Sequence, residues 1–444
     1  MSNWVVLKFG GTSVADAQGW GVIAAQAQRV VDQGGRALVV CSALRGVSDW
    51  LSELPRAALA GQCDDLLARL RERHERLAKD LAVGVPVGAI EELELVRRLA
   101  TGASLIGEAP PRTRAQLMAA GELMSTQIGA SYLRQCGLAL TWMDARGLLR
   151  APRQTDRNTH FLSNTWDRQS DALQTALDEC GASIVLTQGF IASDEQGETV
   201  LFGRGGSDSS AAFFAAGLKA RRCEIWSDVP GLFSADPRQV PAARLLRRLA
   251  YEEAQEIASM GARVLHPSCL EPLRHAGIEL HTRCTQRPDA EGTVIAAAGQ
   301  ESEGHVKAVC MRRGLTVVTM DTIGMWQQVG FLANVFAVFK RMGLSVDMVS
   351  TSEANVTLTL DPSSLSEELD QLSALVRELE PFCRARVITG CASISLVGRK
   401  IRSILHELAP ALAVFQDRRV HLLSQAASDL NLSLVVDEDQ AERL

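Results

Sequence analysis

The sequence predicts an α/β protein in which a mainly parallel sheet lies between helical layers and is followed by two smaller, ferredoxin-like βαββαβ units. In the first 298 residues, short buried strands alternate with small polar strand exits and with helices, which is typical of a parallel sheet. Beyond residue 304, a strand, a helix and two further strands occur twice at similar length, which indicates a duplicated module. The length of 444 residues suggests two to four domains and a large core.

The strands of the first part are short apolar runs, as expected for strands that are buried on both faces. The helices have apolar residues at helical spacing; the highly charged segment Asp64–Leu81, for instance, has a narrow stripe of leucines and is expected to be peripheral. We expect strands at Trp4–Phe9, Ala37–Cys41, Ile184–Phe190 and Ile278–Arg283, and helices at Ala17–Gln33, Asp64–Leu81, Glu91–Ile106, Ala115–Cys136 and Tyr251–Gly261.

A polar segment, Gly299–Gly304, is predicted to link this part to the repeated units. In each repeat a glycine, Gly330 or Gly398, precedes apolar residues at positions i, i+3, i+4 and i+7, which predicts a helix. These residues are Leu332, Val335, Phe336 and Phe339 in the first repeat and Ile401, Ile404, Leu405 and Leu408 in the second.

The two repeats end differently. The first continues through a helix, Ser363–Leu379, into a strand at Arg384–Ile388, whereas the second stops at Leu444 before an equivalent strand. Because an unpaired sheet edge is usually covered, we predict that the apolar segment Val306–Met311 pairs into the sheet of the second unit. The first unit is then nested within the second.

Composition excludes several classes of protein. The net charge of −6 argues against a nucleic-acid-binding surface, and no apolar run approaches the roughly 18 residues of a membrane span. The ten cysteines and eight histidines are scattered, without a ligand spacing, so we predict no metal site and reduced thiols in a cytoplasmic location. The chain enters a strand directly, without the pattern of a signal peptide.

The stretch Gly203–Arg238 has the character of a phosphate-ligand site. Its four residues Gly203–Gly206 allow a tight turn and a close backbone approach to a ligand, and Ser207–Ser210 supply helix-capping oxygens while free N–H groups face an anion. Arg204 offers a planar fork for a carboxylate or phosphate. A second buried strand then breaks into a polar turn at Ile225–Gly231. Two such loops in succession favour a ligand site over an ordinary turn.

Lys8 lies at the end of the first strand, beside two glycines and two hydroxyls. In that position a lysine reaches phosphates that backbone N–H groups cradle. The spacing differs from that of a Walker A loop. A solvated lysine before a helix cap is the alternative interpretation.

Together these segments resemble the aspartokinase family, of the lysine-sensitive type with two ACT domains. The resemblance covers essentially the whole chain, and the motifs occur in family order. They are KFGGTSV at Lys8–Val14, GELMST at Gly121–Thr126, GRGGSD at Gly203–Asp208, WSDVPGLFSADPR at Trp226–Arg238, GARVLHP at Gly261–Pro267, and GFLANVF with SVDMVSTSE within Gly330–Glu353.

The resemblance implies an amino-acid kinase domain at residues 1–298, a first ACT domain at 312–390 and a second ACT domain at 305–311 plus 391–444. It implies transfer of the ATP γ-phosphoryl group to the side-chain carboxylate of L-aspartate, with Mg²⁺ brought by the nucleotide phosphates rather than by a dedicated protein site. A carboxylate nucleophile with a pKa of about 3.9 is already ionised at neutral pH, so no general base is needed. Catalysis is then mainly positioning and charge neutralisation.

The resemblance also implies residue roles. Lys8 would stabilise the transferring phosphoryl group, and Asp208 would order Lys8 or the metal. Arg204 would hold a substrate carboxylate, and Glu122 would pair with the α-ammonium. The implied substrate-binding residues are Ser42, Ser48, Glu122, Arg204, Gly205, Gly206 and Ser207. The implied ATP-binding residues are Lys8, Gly10, Gly11, Thr12, Ser13, Ser227, Asp228, Phe233, Arg238, Arg263 and Val264.

For regulation, the resemblance implies a lysine pocket at an interface between ACT units and a homodimer formed through them. Asp347 and Glu353 are suitable acceptors for an ammonium group. The implied regulatory residues are Met325, Gln328, Phe331, Leu332, Val346, Asp347, Ser352 and Glu353.

Alternatives remain at this point. Another amino-acid kinase would keep the fold and phosphorylate a different acceptor, such as glutamate, carbamate or a nucleotide. A catalytically dead amino-acid sensor would use only the repeats, which the retention of Lys8, Arg204 and Asp208 disfavours. The abrupt stop of the second repeat at Leu444 suggests a polypeptide that continues, as in relatives that fuse the kinase to a diaminopimelate decarboxylase or a homoserine dehydrogenase. The segments SVDMVSTSE and SQAASDLN look closest to the decarboxylase fusion, and nothing in residues 1–444 encodes that second activity.

Overall fold

The computed structural model describes residues 2–167, 171–261, 264–297, 305–321, 329–361, 369–425 and 428–441. These residues form two compact units. The first comprises Met1–Leu232, Leu245–Tyr251 and Arg263–Gly299, and the second comprises Phe233–Arg244, Glu252–Ala262 and Gln300–Leu444. The predicted linker Gly299–Gly304 lies outside the described residues.

The first unit contains ten strands. They are β1 (Trp4–Phe9), β2 (Arg36–Cys41), β3 (Leu140–Trp142), β4 (Ile184–Gln188), β5 (Ile191–Ser193), β6 (Thr199–Leu201), β7 (Arg222–Ser227), β8 (Arg248–Ala250), β9 (Glu279–Cys284) and β10 (Val294–Ala296). Eight of them form one sheet in the order β3-β4-β2-β1-β7-β9-β10-β8, and β5 and β6 pair as a hairpin.

Eleven helices lie in the described residues up to Ala276, and five of them match the five predicted helices within four residues. The eleven are α1 (Ala17–Asp32), α2 (Val47–Leu59), α3 (Asp64–Asp80), α4 (Val87–Ile106), α5 (Pro111–Gln135), α6 (Ala145–Leu148), α7 (Arg157–Leu162), α8 (Ala172–Cys180), α9 (Gly206–Gly217), α10 (Tyr251–Ser259) and α11 (Leu270–Ala276). No helix in the described part of the chain combines the length and the apolar character that crossing a membrane requires.

The sheet is mainly parallel, as predicted. Strand β1 lies between β2 and β7 and runs parallel to both, and β4 and β9 extend the parallel set on either side. The six residues of β1 are all buried, which explains why its sequence is almost wholly apolar. Parallel strands end at the same edge of a sheet, so the loops after β1, β2, β4, β7 and β9 converge there.

The second unit contains one six-stranded antiparallel sheet. Its strands are β11 (His305–Asp321), β12 (Val346–Thr351), β13 (Asn355–Leu360), β14 (Arg384–Arg399), β15 (Val420–Ser424) and β16 (Asn431–Asp437), in the order β12-β13-β11-β14-β16-β15. Its further helices are α12 (Phe331–Arg341), α13 (Leu369–Leu379), α14 (Ala409–Ala413) and α15 (Glu438–Ala441).

The predicted strands Val306–Met311 and Arg384–Ile388 are parts of two longer strands, β11 and β14. The first part of β11 pairs with the second part of β14, from His305↔Arg399 to Arg312↔Ser393, and the remainder of β11 pairs with β13 and the first part of β14. The register shifts around Arg312–Val317, where Gly314 has a φ of 73°, so each strand continues through an irregularity. The segment Val306–Met311 thus pairs with the strand that also carries β16, as the nested arrangement requires.

The predicted helix after Gly398 is wrong. Gly398 lies within β14, and its backbone approaches His305 so closely that a Cβ would lie 2.0 Å from the His305 carbonyl oxygen. A short 3-10 helix at Ile401–Ile404 and then α14 follow. Pro410 explains the interruption, because proline is tolerated only in the first turn of a helix. The apolar positions Ile401, Ile404 and Leu408 are nevertheless buried.

Candidate active site

A cavity of about 750 Å³ opens at the edge of the large sheet where the parallel strands end. Its walls come from the loops after β1 and β2, from α2 and α5, and from the glycine-rich loop before α9. Of the residues proposed for catalysis or substrate binding, it is lined by Lys8, Ser42, Ser48, Glu122, Arg204, Gly205, Gly206, Ser207 and Asp208.

Lys8 and Asp208 form an ion pair in the wall of this cavity. The Lys8 Nζ lies 2.6 Å from the Asp208 Oδ1, and both side chains are nearly buried. The second carboxylate oxygen of Asp208 accepts a hydrogen bond from the backbone N–H of His266 at 3.0 Å. Because Asp208 is held from both sides, the ammonium group of Lys8 has a fixed position facing the cavity.

Glu122 lines the cavity from α5 and is only 3% exposed. The Ala43 backbone donates a hydrogen bond to its carboxylate, but the Oε2 is buried without a hydrogen-bond partner among the described residues. Burial raises the pKa of Glu122 to about 8. A buried acceptor that lacks a donor is the expected partner of a cationic ligand group.

The conformation of the glycine-rich loop requires glycine at two positions. Gly203 and Gly205 have φ values of 68° and 67°, and a Cβ at Gly205 would lie 2.1 Å from the ring of His266. This conformation turns Arg204 outward at the cavity, where the Arg204 side chain is exposed. It also opens α9 with Asp208 in its first turn.

The loops after β1, β7 and β9 meet beside the ion pair. The Gly10 N–H donates to the Trp226 carbonyl at 3.3 Å, and the hydroxyls of Ser13 and Thr285 lie 2.6 Å apart. The predicted nucleotide residues Gly10, Gly11, Thr12, Ser13, Ser227 and Asp228 lie at this edge of the sheet, and Gly11 lines the cavity itself.

The other predicted nucleotide residues are not tested by this geometry. Phe233 and Arg238 fall in the second compact unit, where the Arg238 guanidinium lies 2.9 Å from the Asp236 carboxylate. Val264 is half-buried, and Arg263 lies outside the described residues. Their nucleotide-binding role therefore stays a prediction.

Sequence reasoning missed three residues that the fold brings to this region. Arg45 and Arg114 line the cavity, and His266 supplies the backbone N–H that holds Asp208. Arg114 precedes Glu122 by eight residues on α5, a little over two turns, so a helical-face argument would have found it. His266 lies within the motif GARVLHP, but the sequence does not show that its N–H holds Asp208, because that contact joins segments 58 residues apart.

Comparisons with known proteins agree with this site. A family model described as "Amino acid kinase family" matches residues 3–283. The chain is 33% identical over 451 residues to the lysine-sensitive aspartokinase 3 of Escherichia coli, and the match covers 100% of this chain and 98% of that protein. The chain belongs to the aspartokinase family. Another aspartokinase, the chloroplastic aspartokinase 2 of Arabidopsis thaliana, is 32% identical over 452 residues, covering 99% of this chain and 82% of that protein.

Solved aspartokinase structures resemble the whole chain. The R-state structure of E. coli aspartokinase III in complex with aspartate and ADP matches with a TM-score of 0.85 and 33% identity, covering 99% of this chain and 97% of that one. The T-state structure of the same enzyme in complex with lysine and aspartate matches with a TM-score of 0.80, covering 100% and 98%. The predicted fold class, an amino-acid kinase fold followed by ACT units, is thereby confirmed.

The predicted regulatory residues of this aspartokinase lie in the second unit. Asp347 on β12 is paired: the Arg312 Nη1 lies 2.9 Å from its Oδ2, while the Arg312 Nη2 lies 3.1 Å from the Asp361 Oδ2. Burial is the main cause that raises the pKa of Asp347. Phe331 is buried, Leu332, Ser352 and Glu353 are exposed, Val346 is half-buried, and Met325 and Gln328 lie outside the described residues.

Proposed function

We propose that the cavity carries out the aspartate kinase reaction, in which the γ-phosphoryl group of ATP passes to the side-chain carboxylate of L-aspartate. A carboxylate oxygen attacks the γ-phosphorus, the bond to the β,γ-bridging oxygen breaks, and ADP leaves with that electron pair. The products are 4-phospho-L-aspartate and ADP. The observation that carries this proposal is the Lys8–Asp208 ion pair beside Glu122 in one cavity.

The ion pair supplies electrostatic stabilisation rather than proton transfer. Asp208 holds Lys8 at 2.6 Å, so its ammonium group needs no rearrangement when charge shifts onto the transferring phosphoryl oxygens. The nucleophile is ionised at neutral pH and needs no base. This chemistry agrees with a cavity that contains no histidine or cysteine side chain among its described lining residues.

The remaining polar residues distinguish an amino acid from other carboxylates. Glu122 offers an unpartnered buried oxygen to the α-ammonium, and Arg204 offers a bidentate fork to the α-carboxylate. Ser42, Ser48 and Ser207 line the same cavity and add hydroxyls around the bound substrate. These contacts would orient the side-chain carboxylate towards the phosphoryl group.

ATP is proposed to lie along the loops after β1 and β7, where the Lys8 ammonium group would reach its phosphates. Mg²⁺ would reach the site on those phosphates and neutralise their charge. The donor set fits that arrangement: Asp208 is engaged by Lys8 and His266, and Glu122 is buried deep in the wall.

For regulation, we propose that lysine inhibits the enzyme through the ACT units at residues 312–390 and 305–311 plus 391–444. The relative with 33% identity is named lysine-sensitive, and one solved structure contains lysine. The Arg312 guanidinium is already paired with the Asp347 carboxylate. An incoming ammonium group would therefore share that carboxylate with the guanidinium or displace the guanidinium from it. An ACT-mediated homodimer and a cytoplasmic location stay predictions.

An acceptor-panel assay tests the activity directly. The full chain would be supplied with Mg²⁺-ATP and with aspartate, glutamate or carbamate, and ADP release would be followed by a coupled assay. We expect turnover with aspartate alone, and inhibition by added lysine rather than by threonine or methionine. Equal turnover with another acceptor, or nucleotide binding without turnover, would overturn the proposed substrate or the proposed activity.

A further inference from the structure

Three metal-ligating side chains come together in the second unit, and none of them has been assigned a role above. Cys391 on β14, His421 on β15 and Asp437 at the end of β16 each offer one ligand atom, and these atoms all lie within 4.8 Å of one another. It is the one such group of histidine, cysteine and acidic residues in the described ranges. We propose that it is a zinc-class metal site.

The fold of the sheet produces this cluster. Cys391 and Asp437 are direct partners in the antiparallel pairing of β14 with β16, so their side chains share one face. His421 lies where the register between β15 and β16 shifts, between Val420 and Leu422. Such an irregularity re-aims a side chain, and here the His421 Nε2 lies 2.7 Å from the Asp437 Oδ1.

Burial separates the cluster from a surface ion pair. Cys391 is fully buried and the His421 side chain is only 3% exposed, whereas the Asp437 side chain is 34% exposed. An ion can therefore enter past Asp437, while the buried sulfur is closed to a larger reactant. Among the described residues, the Cys391 Sγ makes two long contacts, 3.8 and 4.0 Å, with the Ile388 and Thr389 carbonyl oxygens.

The distances fit a small ion after modest movement. Zinc bonds of about 2.0–2.3 Å in tetrahedral geometry place neighbouring ligand atoms roughly 3.3–3.6 Å apart. The Nε2–Oδ1 pair, at 2.7 Å, must open by roughly half an ångström for the ion to lie between them. The Gln440 amide, 3.4 Å from the Asp437 Oδ2, is placed to hold the carboxylate from outside, as outer-shell partners of metal ligands do.

The ligand types select the metal. A thiolate with an imidazole and a carboxylate suits Zn²⁺, whereas Mg²⁺ and Ca²⁺ prefer oxygen ligands alone. Binding releases one proton from the Cys391 thiol, and the Nε2 proton of His421 moves to the Nδ1 through solvent. The bound set Zn²⁺, thiolate, neutral imidazole and carboxylate has no net charge, and water takes the fourth position.

The test compares the full chain with single-ligand variants after chelation and dialysis. Zn²⁺ would be titrated against a chromophoric chelator, and Co²⁺ would be added separately as a spectroscopic probe. We expect one more equivalent of tight Zn²⁺ in the wild type than in Cys391→Ser or His421→Gln. Their affinity should fall by more than the roughly 10–100-fold that loss of an outer-shell partner costs. Co²⁺ should give a thiolate charge-transfer band in the wild type only.

Cys383→Ser is the matched control, because Cys383 is a buried cysteine of the same unit outside the cluster, and it should keep the extra equivalent. Asp437→Asn is a second test variant that should disturb the fold least, because its amide keeps a hydrogen bond to His421 at a partly exposed position. It nevertheless removes an anionic ligand and should lose the extra equivalent. A thermal unfolding midpoint close to that of the metal-free wild type reports an intact fold in the variants. Equal zinc stoichiometry in wild type and Cys391→Ser, or a cobalt spectrum without the thiolate band, would overturn the site.

Discussion

The buried carboxyl group of Glu122 predicts that aspartate binding depends steeply on pH. Burial raises its pKa to about 8, so the empty enzyme holds Glu122 mostly neutral at pH 7. The proposed ammonium partner requires the ionised form. At pH 7 about one enzyme molecule in ten is then ready to bind, which costs about 1.4 kcal/mol relative to the fully ionised enzyme.

The KM for aspartate should therefore fall about tenfold between pH 6 and pH 7, about a further fivefold between pH 7 and pH 8, and level off above about pH 9. The measurement is the initial rate against aspartate concentration, at saturating Mg²⁺-ATP, across that range. Calorimetry in buffers of different ionisation enthalpy should show release of nearly one proton per aspartate bound at pH 7. The KM for ATP serves as the internal control, because its binding does not involve Glu122.

Glu122→Gln separates this explanation from other titrating groups. The variant should bind aspartate weakly at every pH and lose the proton release. A KM for aspartate that stays constant from pH 6 to pH 8 in the wild type would refute the role of Glu122. So would a variant that retains the wild-type pH profile.

The same group also affects stability, with a sign that can be worked out. Because its folded pKa lies above the usual 4.5, its contribution to stability is fully present below pH 4.5 and is lost as the pH rises to about 8. The total change is at most roughly 5 kcal/mol, at about 1.4 kcal/mol per pH unit. Thermal unfolding of the empty Glu122→Gln variant should therefore show a higher Tm than the wild type at pH 8, with little difference at pH 5.

Three further predictions concern other parts of the chain. Lys8→Ala should lower kcat by at least about 10²–10³-fold without unfolding the protein. The control Lys79→Ala, on the exposed face of α3, should leave kcat unchanged. Near-normal turnover of Lys8→Ala would remove Lys8 from the mechanism. Gly205→Ala should abolish most activity, because the added Cβ would lie 2.1 Å from the His266 ring. Gly181→Ala is the control: Gly181 has a similar φ of 61° but open space around it, so this variant should lose only stability. Equal kcat/KM in the two variants would contradict the close approach. Asp347→Asn should raise the lysine concentration for half-inhibition by about tenfold or more. Asp361→Asn should not change it, although Asp361 contacts the same Arg312. Identical inhibition curves for the two variants would count against a direct contact between lysine and Asp347.

Much of the fold could be predicted from local sequence. The apolar run Trp4–Phe9 becomes a strand with the predicted bounds, because a strand buried on both faces leaves no room for polar residues other than at its end. The tight turn at Gly203–Gly206 was also predictable, because glycine adopts the left-handed backbone conformation that such a turn requires. The wrongly predicted helix after Gly398 also has a local cause. Apolar spacing alone predicted a helix there, but Pro410 is tolerated only in the first turn of a helix, so α14 begins anew beside it.

The family resemblance implied the roles of the site residues, but their distances, burial and electrostatics required the tertiary structure. The Lys8–Asp208 distance and the buried, unpartnered oxygen of Glu122 arise from contacts between segments that lie far apart along the chain. In the sequence, Glu122 is an ordinary glutamate in a helix, and only its desolvation changes its pKa. The cluster of Cys391, His421 and Asp437 has no recognisable ligand spacing, so a sequence pattern predicts no metal there. Strand register brings these three side chains together, and register depends on pairing across the sheet rather than on neighbours in the chain.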